Sequence, residues 1–177
     1  MNRIFLAGLL VLLGAFSAIA QTNPNNIPKP PTDELKKFEP FLGKYNVTAE
    51  YAKLKFSGTM EIKPVIKGWY IERSILIKTD DGKIDRELHV FITYDRRLKS
   101  YRLSRFETLP PGNNESSGRF EGNEFIEESE VTRNGDKVIL RNRITMADKD
   151  EVRMVTEAQD AAGKITLVGV AIGKRMK

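Results

Sequence analysis

Residues 69–94 read WYIERSILIKTDDGKIDRELHVFITY, and their alternation decides the fold. Apolar and polar residues alternate on both flanks of Asp81-Gly82, a dipeptide that tolerates the positive φ of a tight hairpin turn. Folding the segment there predicts Ile77 opposite Arg86, Ile75 opposite Leu88, Arg73 opposite Val90, Ile71 opposite Ile92 and Trp69 opposite Tyr94. The other side pairs Lys78 with Asp85, Leu76 with Glu87 and Ser74 with His89. One side is apolar apart from two arginines and the other is mostly polar, as expected of an antiparallel hairpin with one buried face.

Outward from this hairpin the same period continues. Ten alternating runs, at roughly 44–51, 54–66, 69–79, 84–94, 100–107, 115–121, 124–133, 136–146, 151–159 and 164–173, are separated by short turns such as Gly122-Asn123 and Asn134-Gly135. Closing the chain at Asn134-Gly135 sets Val131 opposite Val138, Ser129 opposite Leu140, Glu127 opposite Asn142 and Phe125 opposite Ile144. Outside, Glu128 meets Arg141 and Arg133 meets Asp136 as ion pairs. The first hairpin sets Ala49 opposite Phe56 and Tyr45 opposite Met60; the last continues the inner row through Met154, Thr156 and Ala158, then Ile165, Leu167 and Gly169. All these turns agree on which side is inside. The reading is an all-β, ten-stranded antiparallel up-and-down barrel, since closure removes exposed edges. A short helix from Asp33 to about Leu42, capped by Thr32, precedes it, and Leu109 to Asn114 is the one long connection, a candidate flap over the mouth.

Ahead of the barrel, residues 1–20 carry Arg3, an apolar run from Ile4 to Phe16 and Ala18-Ile19-Ala20, the pattern of a secretory signal peptide cut after Ala20. Residues 21–32, rich in Pro and Asn, read as an extended arm, and 33–177 as the barrel domain. Periplasmic or secreted localisation follows, with no membrane span once the leader is removed. The 177 residues contain no Cys and one His, which excludes disulfides and thiolate or multi-His metal sites, and disfavours Ser-His or Cys-His catalysis. A net charge of +5 is interleaved in sign along the chain, so no basic stripe for nucleic acid forms.

A family resemblance rests on several segments. Phe41-Leu42-Gly43-Lys44-Tyr45 leading into a strand resembles the Gly-x-Trp opening of lipocalins and calycins, with Tyr45 where Trp is usual. Residues Val65 to Glu72, Ile92 to Asp95 and Lys99 to Tyr101 resemble a family of bacterial secreted calycin-like proteins of unassigned role. The resemblance implies a small β-barrel over roughly residues 34–173 and brings no catalytic residues with it.

Charges on the inner face are the chemical lead. Arg73, Arg86 and Glu127 sit among aliphatics, and pairing Tyr94 with Tyr101 brings Arg105 beside Val90, across from Arg73. Unpaired buried cations cost several kcal/mol, so these need an acid, water or an anion. As a ligand site, the cluster of Arg73, Arg86, Arg105 and Glu127 would hold the carboxylate or phosphate head of an apolar ligand through its arginines, with Asn142 a further candidate, while Trp69, Ile71, Ile75, Val90, Tyr94, Tyr101 and Leu103 line the apolar part. As structure, the arginines would pair with Glu127 and Glu107 or snorkel to a barrel mouth on their apolar stems. His89 faces out and is a poor metal or haem ligand, and nothing selects Tyr94 or a methionine for haem iron, so no cofactor is expected. The leading function is therefore an exported binder of an apolar or amphiphilic small molecule; the alternative is an interaction module with a filled barrel. An enzyme ranks third, because only carboxylates and Tyr remain as acid/base groups.

Overall fold

The computed structural model describes residues 29–177 apart from positions 84, 109, 110 and 134. The leader and residues 21–28 of the arm lie outside the described residues. Ten strands form one closed antiparallel barrel in sequence order: β1 (Gly43–Tyr51), β2 (Leu54–Val65), β3 (Tyr70–Thr79), β4 (Asp85–Asp95), β5 (Ser100–Thr108), β6 (Pro111–Glu121), β7 (Glu124–Arg133), β8 (Asp136–Asp148), β9 (Glu151–Gln159) and β10 (Ile165–Arg175). Closure is made by β1 on β10, from Tyr45 opposite Arg175 to Tyr51 opposite Gly169. Gly169 is required at that seam, because a Cβ there would lie 2.7 Å from the Glu50 carbonyl oxygen.

Apart from the last hairpin and the Trp69–Tyr94 pair, the registers read from the turns are those observed. Ile71, Arg73, Ile75 and Ile77 face Ile92, Val90, Leu88 and Arg86. Glu127 faces Asn142, Val90 faces Arg105, and Tyr94 faces Tyr101. The outer wall carries ion-pair rows: Glu128 bridges Arg119 and Arg141 at 2.7 Å each, and Arg143 reaches Glu124 at 2.8 Å and Glu157 at 3.3 Å. Such a wall faces water; a lipid-facing wall would need an apolar band about 25 Å tall. No helix among the described residues is long and apolar enough to cross a membrane.

Four expectations are corrected. The N-terminal helix is α1 (Thr32–Leu35) followed by a 3-10 segment, Lys36–Phe41. Pro40 lacks the N–H for a continuing α-helix and disfavours α geometry in the residue before it. Thr32 is the first helical residue rather than the cap; that position is Pro31, which supplies no side-chain cap. Trp69 does not enter β3: a 3-10 turn at Ile66–Gly68, with Ile66 and Lys67 both at positive φ, leaves it beyond the strand end, where its carbonyl accepts the Thr93 hydroxyl at 2.8 Å. On β10, a bulge between Leu167 and Gly169 shifts the register, so Gly169 and Ala171 face inward while Ile165 and Leu167 point out, 51% and 62% exposed. Finally, Thr108 pairs with Pro111, so β5 and β6 run on and no long flap spans Leu109 to Asn114; positions 109 and 110 are outside the described residues.

The core divides across the barrel axis. At the end where α1 enters, Phe38 and Phe41 insert between Tyr101, Phe120 and Phe125, with Phe38 ring centroids 4.8 Å from Phe125, 5.0 Å from Phe120 and 5.5 Å from Tyr101. Edge-to-face pairs of this kind add about 0.5–1.5 kcal/mol each beyond area burial. Gly118 makes room, since a Cβ there would stand 2.5 Å from the Phe125 ring. The Tyr45 hydroxyl donates to the Phe41 carbonyl at 2.8 Å and the Tyr101 hydroxyl to the Glu34 carbonyl at 3.0 Å. Burial pushes both phenols up, which keeps them as donors. Arg175 stacks on the Tyr45 ring and donates to the Leu42 and Pro40 carbonyls, pinning the plug from the last strand. This end is a filled floor.

Candidate functional site: a hollow behind a buried ion-pair septum

Above the floor runs a layer of charge. Arg73 on β3 and Arg105 on β5 flank Val90 of β4, and both reach across to Glu127 on β7. Arg73 Nη2 donates to Glu127 Oε2 at 2.8 Å, Arg105 Nη2 to Oε1 at 2.7 Å, and the Ser116 hydroxyl to Oε1 at 3.3 Å. The cross-strand neighbour of Glu127 on β6 is Gly118. Glu127 is completely buried. Burial alone would push its carboxyl up; the guanidiniums of Arg73 and Arg105 outweigh that and hold it down at about 2. Below the septum lies a void of about 10 Å³, between Phe38, Phe41, Ile92, Phe125 and Arg73. That is at or below the room one water needs.

Above the septum the barrel is hollow. A cavity of about 280 Å³ is lined by Val47, Phe56, Met60, Ile62, Ile75, Ile77, Leu88, Val131, Leu140, Ile144, Val152 and Met154, with Arg73, Arg86, Arg105, Glu107, Asn114, Ser129, Asn142 and Thr156 supplying polar atoms. It opens toward the β1–β2, β3–β4 and β9–β10 turns, and among the described residues no element covers that end. Small side chains on β10, at Gly169, Ala171 and Gly173, contribute to the open space. Asn142 Oδ1 accepts the Thr156 hydroxyl at 2.8 Å. Nearer the mouth, Arg86 pairs with Glu107. The Nε of Arg73 and the Nε of Arg86 are buried without a hydrogen-bond partner among the described residues.

Of the residues expected at the site, the structure brings Arg73, Arg105 and Glu127 into one ion-pair triad and places Arg86 and Asn142 on the cavity wall. Ile75 lines the cavity, whereas Trp69, Ile71, Val90, Tyr94, Tyr101 and Leu103 do not. Ile71, Tyr94, Tyr101 and Leu103 pack at floor level, because they lie on the α1 side of the septum and the plug fills the space beside them, while Val90 is buried within the septum layer between the two arginines. The inner arginines find acids, as the structural reading required, yet the count of inward-facing charges stays uneven: Arg73, Arg86 and Arg105 outnumber Glu107 and Glu127 by one, while Glu50, also in the cavity lining, belongs to the outward row opposite Lys55. The plug residues Phe38 and Phe41 were missed, although their spacing of three within an apolar helix face was a visible signal. As a general base Glu127 is a poor candidate: both oxygens are occupied, its basicity is low, and it does not border the cavity. His89 lies on the outer face between Glu87 at 2.9 Å and Glu72 at 2.8 Å, which raise its pKa.

No family model matches the chain, and no curated protein is significantly similar to it in sequence. Among solved structures it is similar to Rv2717c from M. tuberculosis, at 13% identity and a TM-score of 0.54, over 85% of this chain and 100% of that one. That likeness supports the barrel fold. A looser overlap, with a TM-score of 0.44 and 11% identity over 77% of this chain and 99% of the other, is with a redesigned β-barrel, mFAP0, solved bound to DFHBI.

Proposed function

We propose that this chain is an exported, calycin-like binding protein whose hollow half holds one compact, largely apolar molecule bearing a single carboxylate. The observation that carries the reading is the cavity of about 280 Å³ with a single uncompensated cation in its wall. The volume lies just below the roughly 300–1,000 Å³ typical of small-molecule pockets, which favours a short acyl chain or one or two rings over a long lipid. An excess cation in a desolvated wall is stabilised by a monoanion, and a planar guanidinium with spare N–H groups suits a carboxylate. Arg105 uses one Nη on Glu127 and is partly open to the cavity, while the Asn142 amide nitrogen on the same lining has no partner among the described residues. The leader-like residues 1–20 support export, and the barrel with its N-terminal helix supports the calycin-like assignment.

Calorimetric titration tests this with matched pairs, octanoate against octanol and 2-naphthoate against 2-naphthol. The acids bind about tenfold tighter or better than their alcohols, about 1.4 kcal/mol, and Arg105→Met removes the preference. Equal affinity within both pairs would overturn the anionic head group. Failure of all four to bind would overturn the cavity as a ligand site.

A further inference from the structure

The mouth is not symmetric. On the β3–β4 and β7–β8 side its lysines are satisfied: Lys78 pairs with Asp85 at 3.2 Å, Lys83 with Asp81 at 3.0 Å and Lys137 with Glu130 at 2.7 Å. On the β1–β2 and β9–β10 side, Lys53, Lys55 and Lys164 are exposed and make no ion pair among the described residues. Of the acids there, Asp160 is tied into its own turn, its Oδ1 accepting the N–H of Ala162 and of Lys164, and Glu50 stands opposite Lys55 on the outer wall. The same side gathers four exposed large apolar residues, Tyr51 41%, Leu54 48%, Ile165 51% and Leu167 62%, whereas Leu76 and Phe106 on β3 and β5, 45% each, and Ile139 on β8 have no unpaired lysine at the turns nearest them among the described residues.

Two backbone devices put them there. The β-bulge before Gly169 turns Ile165 and Leu167 out of the barrel; without it they would continue the inner row. At the β1–β2 tip, Ala52 and Lys53 both hold positive φ, 50° and 71°, where Asn-Gly would be the unstrained choice. The strain carries a lysine to the tip between Tyr51 and Leu54. Bulges and strained non-glycine turns concentrate where a side chain must be aimed at something. Apolar tips interleaved with free cations are the composition of a segment that enters the headgroup boundary of an anionic membrane.

We propose that this edge of the mouth docks on an anionic lipid bilayer, Tyr51, Leu54, Ile165 and Leu167 entering the interface and Lys53, Lys55 and Lys164 meeting lipid phosphates. The barrel then stands mouth-down, and its cavity exchanges contents with the interface rather than with bulk water. Docking is independent of what the cavity holds, so it fails or succeeds separately from the carboxylate reading.

The single tryptophan gives a positional control, because Trp69 lies at the floor end, the end to which α1 also leads. The full chain is mixed with phosphatidylcholine vesicles containing about one-third phosphatidylglycerol and brominated acyl chains. In a Trp69→Phe background, the indole introduced by Leu54→Trp, or separately by Tyr51→Trp, shifts blue and is quenched, while native Trp69 in the unaltered chain is not. Replacing Lys53, Lys55 and Lys164 by Gln weakens this mouth docking about a hundredfold, near fivefold for each lysine lost, and high salt does the same. The proposal is overturned if both mouth indoles stay unquenched, or if Trp69 is quenched instead, as attachment through residues 1–20 would give. A docking strength unchanged by the lysine replacements overturns it too. So does a sedimentation mass of two chains with no vesicle binding, which would assign the edge to a second copy.

Discussion

The two halves of the barrel are built from the same alternating strands and end in opposite states. At the floor, Phe38 and Phe41 bring two extra rings into a lumen already holding Tyr101, Phe120 and Phe125, and the space left is about 10 Å³. At the mouth, the inward positions of β10 are Gly169, Ala171 and Gly173, no described residue enters from outside the strands, and about 280 Å³ is open. Strand number alone therefore does not determine whether such a barrel is hollow; what caps it and how small one strand's inner row is decide that. The septum of Arg73, Glu127 and Arg105 keeps the two regimes apart.

Breaking the septum has the largest expected effect. Glu127→Leu leaves two buried guanidiniums without their acid and should cost up to about 5 kcal/mol in denaturant unfolding. Replacing all three partners together, by Met at both arginines and Leu at Glu127, should recover most of that loss. If the single substitution proves harmless, the septum is not what divides the barrel. Phe38→Ala comes next, at about 4 kcal/mol, because the floor is close-packed and a cavity is added to the transfer loss.

Acid titrates the same layer without mutation. Glu127 is held at about 2 when folded against an ordinary value of 4.5, so its contribution is complete above pH 4.5 and disappears as pH falls from 4.5 toward 2. Roughly 3 kcal/mol of unfolding free energy should be lost across that window, and Glu127→Gln should flatten the loss. Leu140→Ala, in the wall of the hollow half, should cost only about 1 kcal/mol, because its outer atoms already face open space and little new void is created. A cost matching that of Phe38→Ala would mean the mouth is packed as the floor is.

Most of the ladder was legible because alternation and turn chemistry are local. Closing the chain at Asp81-Gly82 and Asn134-Gly135 was enough to set Arg73 beside Val90 and Glu127 beside Asn142. Nothing local announces the bulge on β10: the run ITLVGVAIG alternates equally well with Ile165 inside or outside, and only pairing with Glu157 and Gln159 decides it. Which end of the lumen is plugged was also illegible. Trp69, Tyr94 and Tyr101 were expected around a ligand, yet whether the space beside the tyrosines stays open depends on how far the N-terminal segment with Phe38 and Phe41 penetrates, which strand pairing does not encode. That Arg73 and Arg105 share one acid required knowing that β7 lies across the lumen from β3 and β5, a consequence of closure rather than of any hairpin.

Methyl-resolved NMR during an octanoate titration reads both halves at once. Ile75, Ile77, Leu88, Val131 and Leu140 should respond in a saturable manner while Ile92 and Leu103, beneath the septum, stay fixed. Equal shifts above and below the septum, or none anywhere at millimolar ligand, would contradict this division of the barrel.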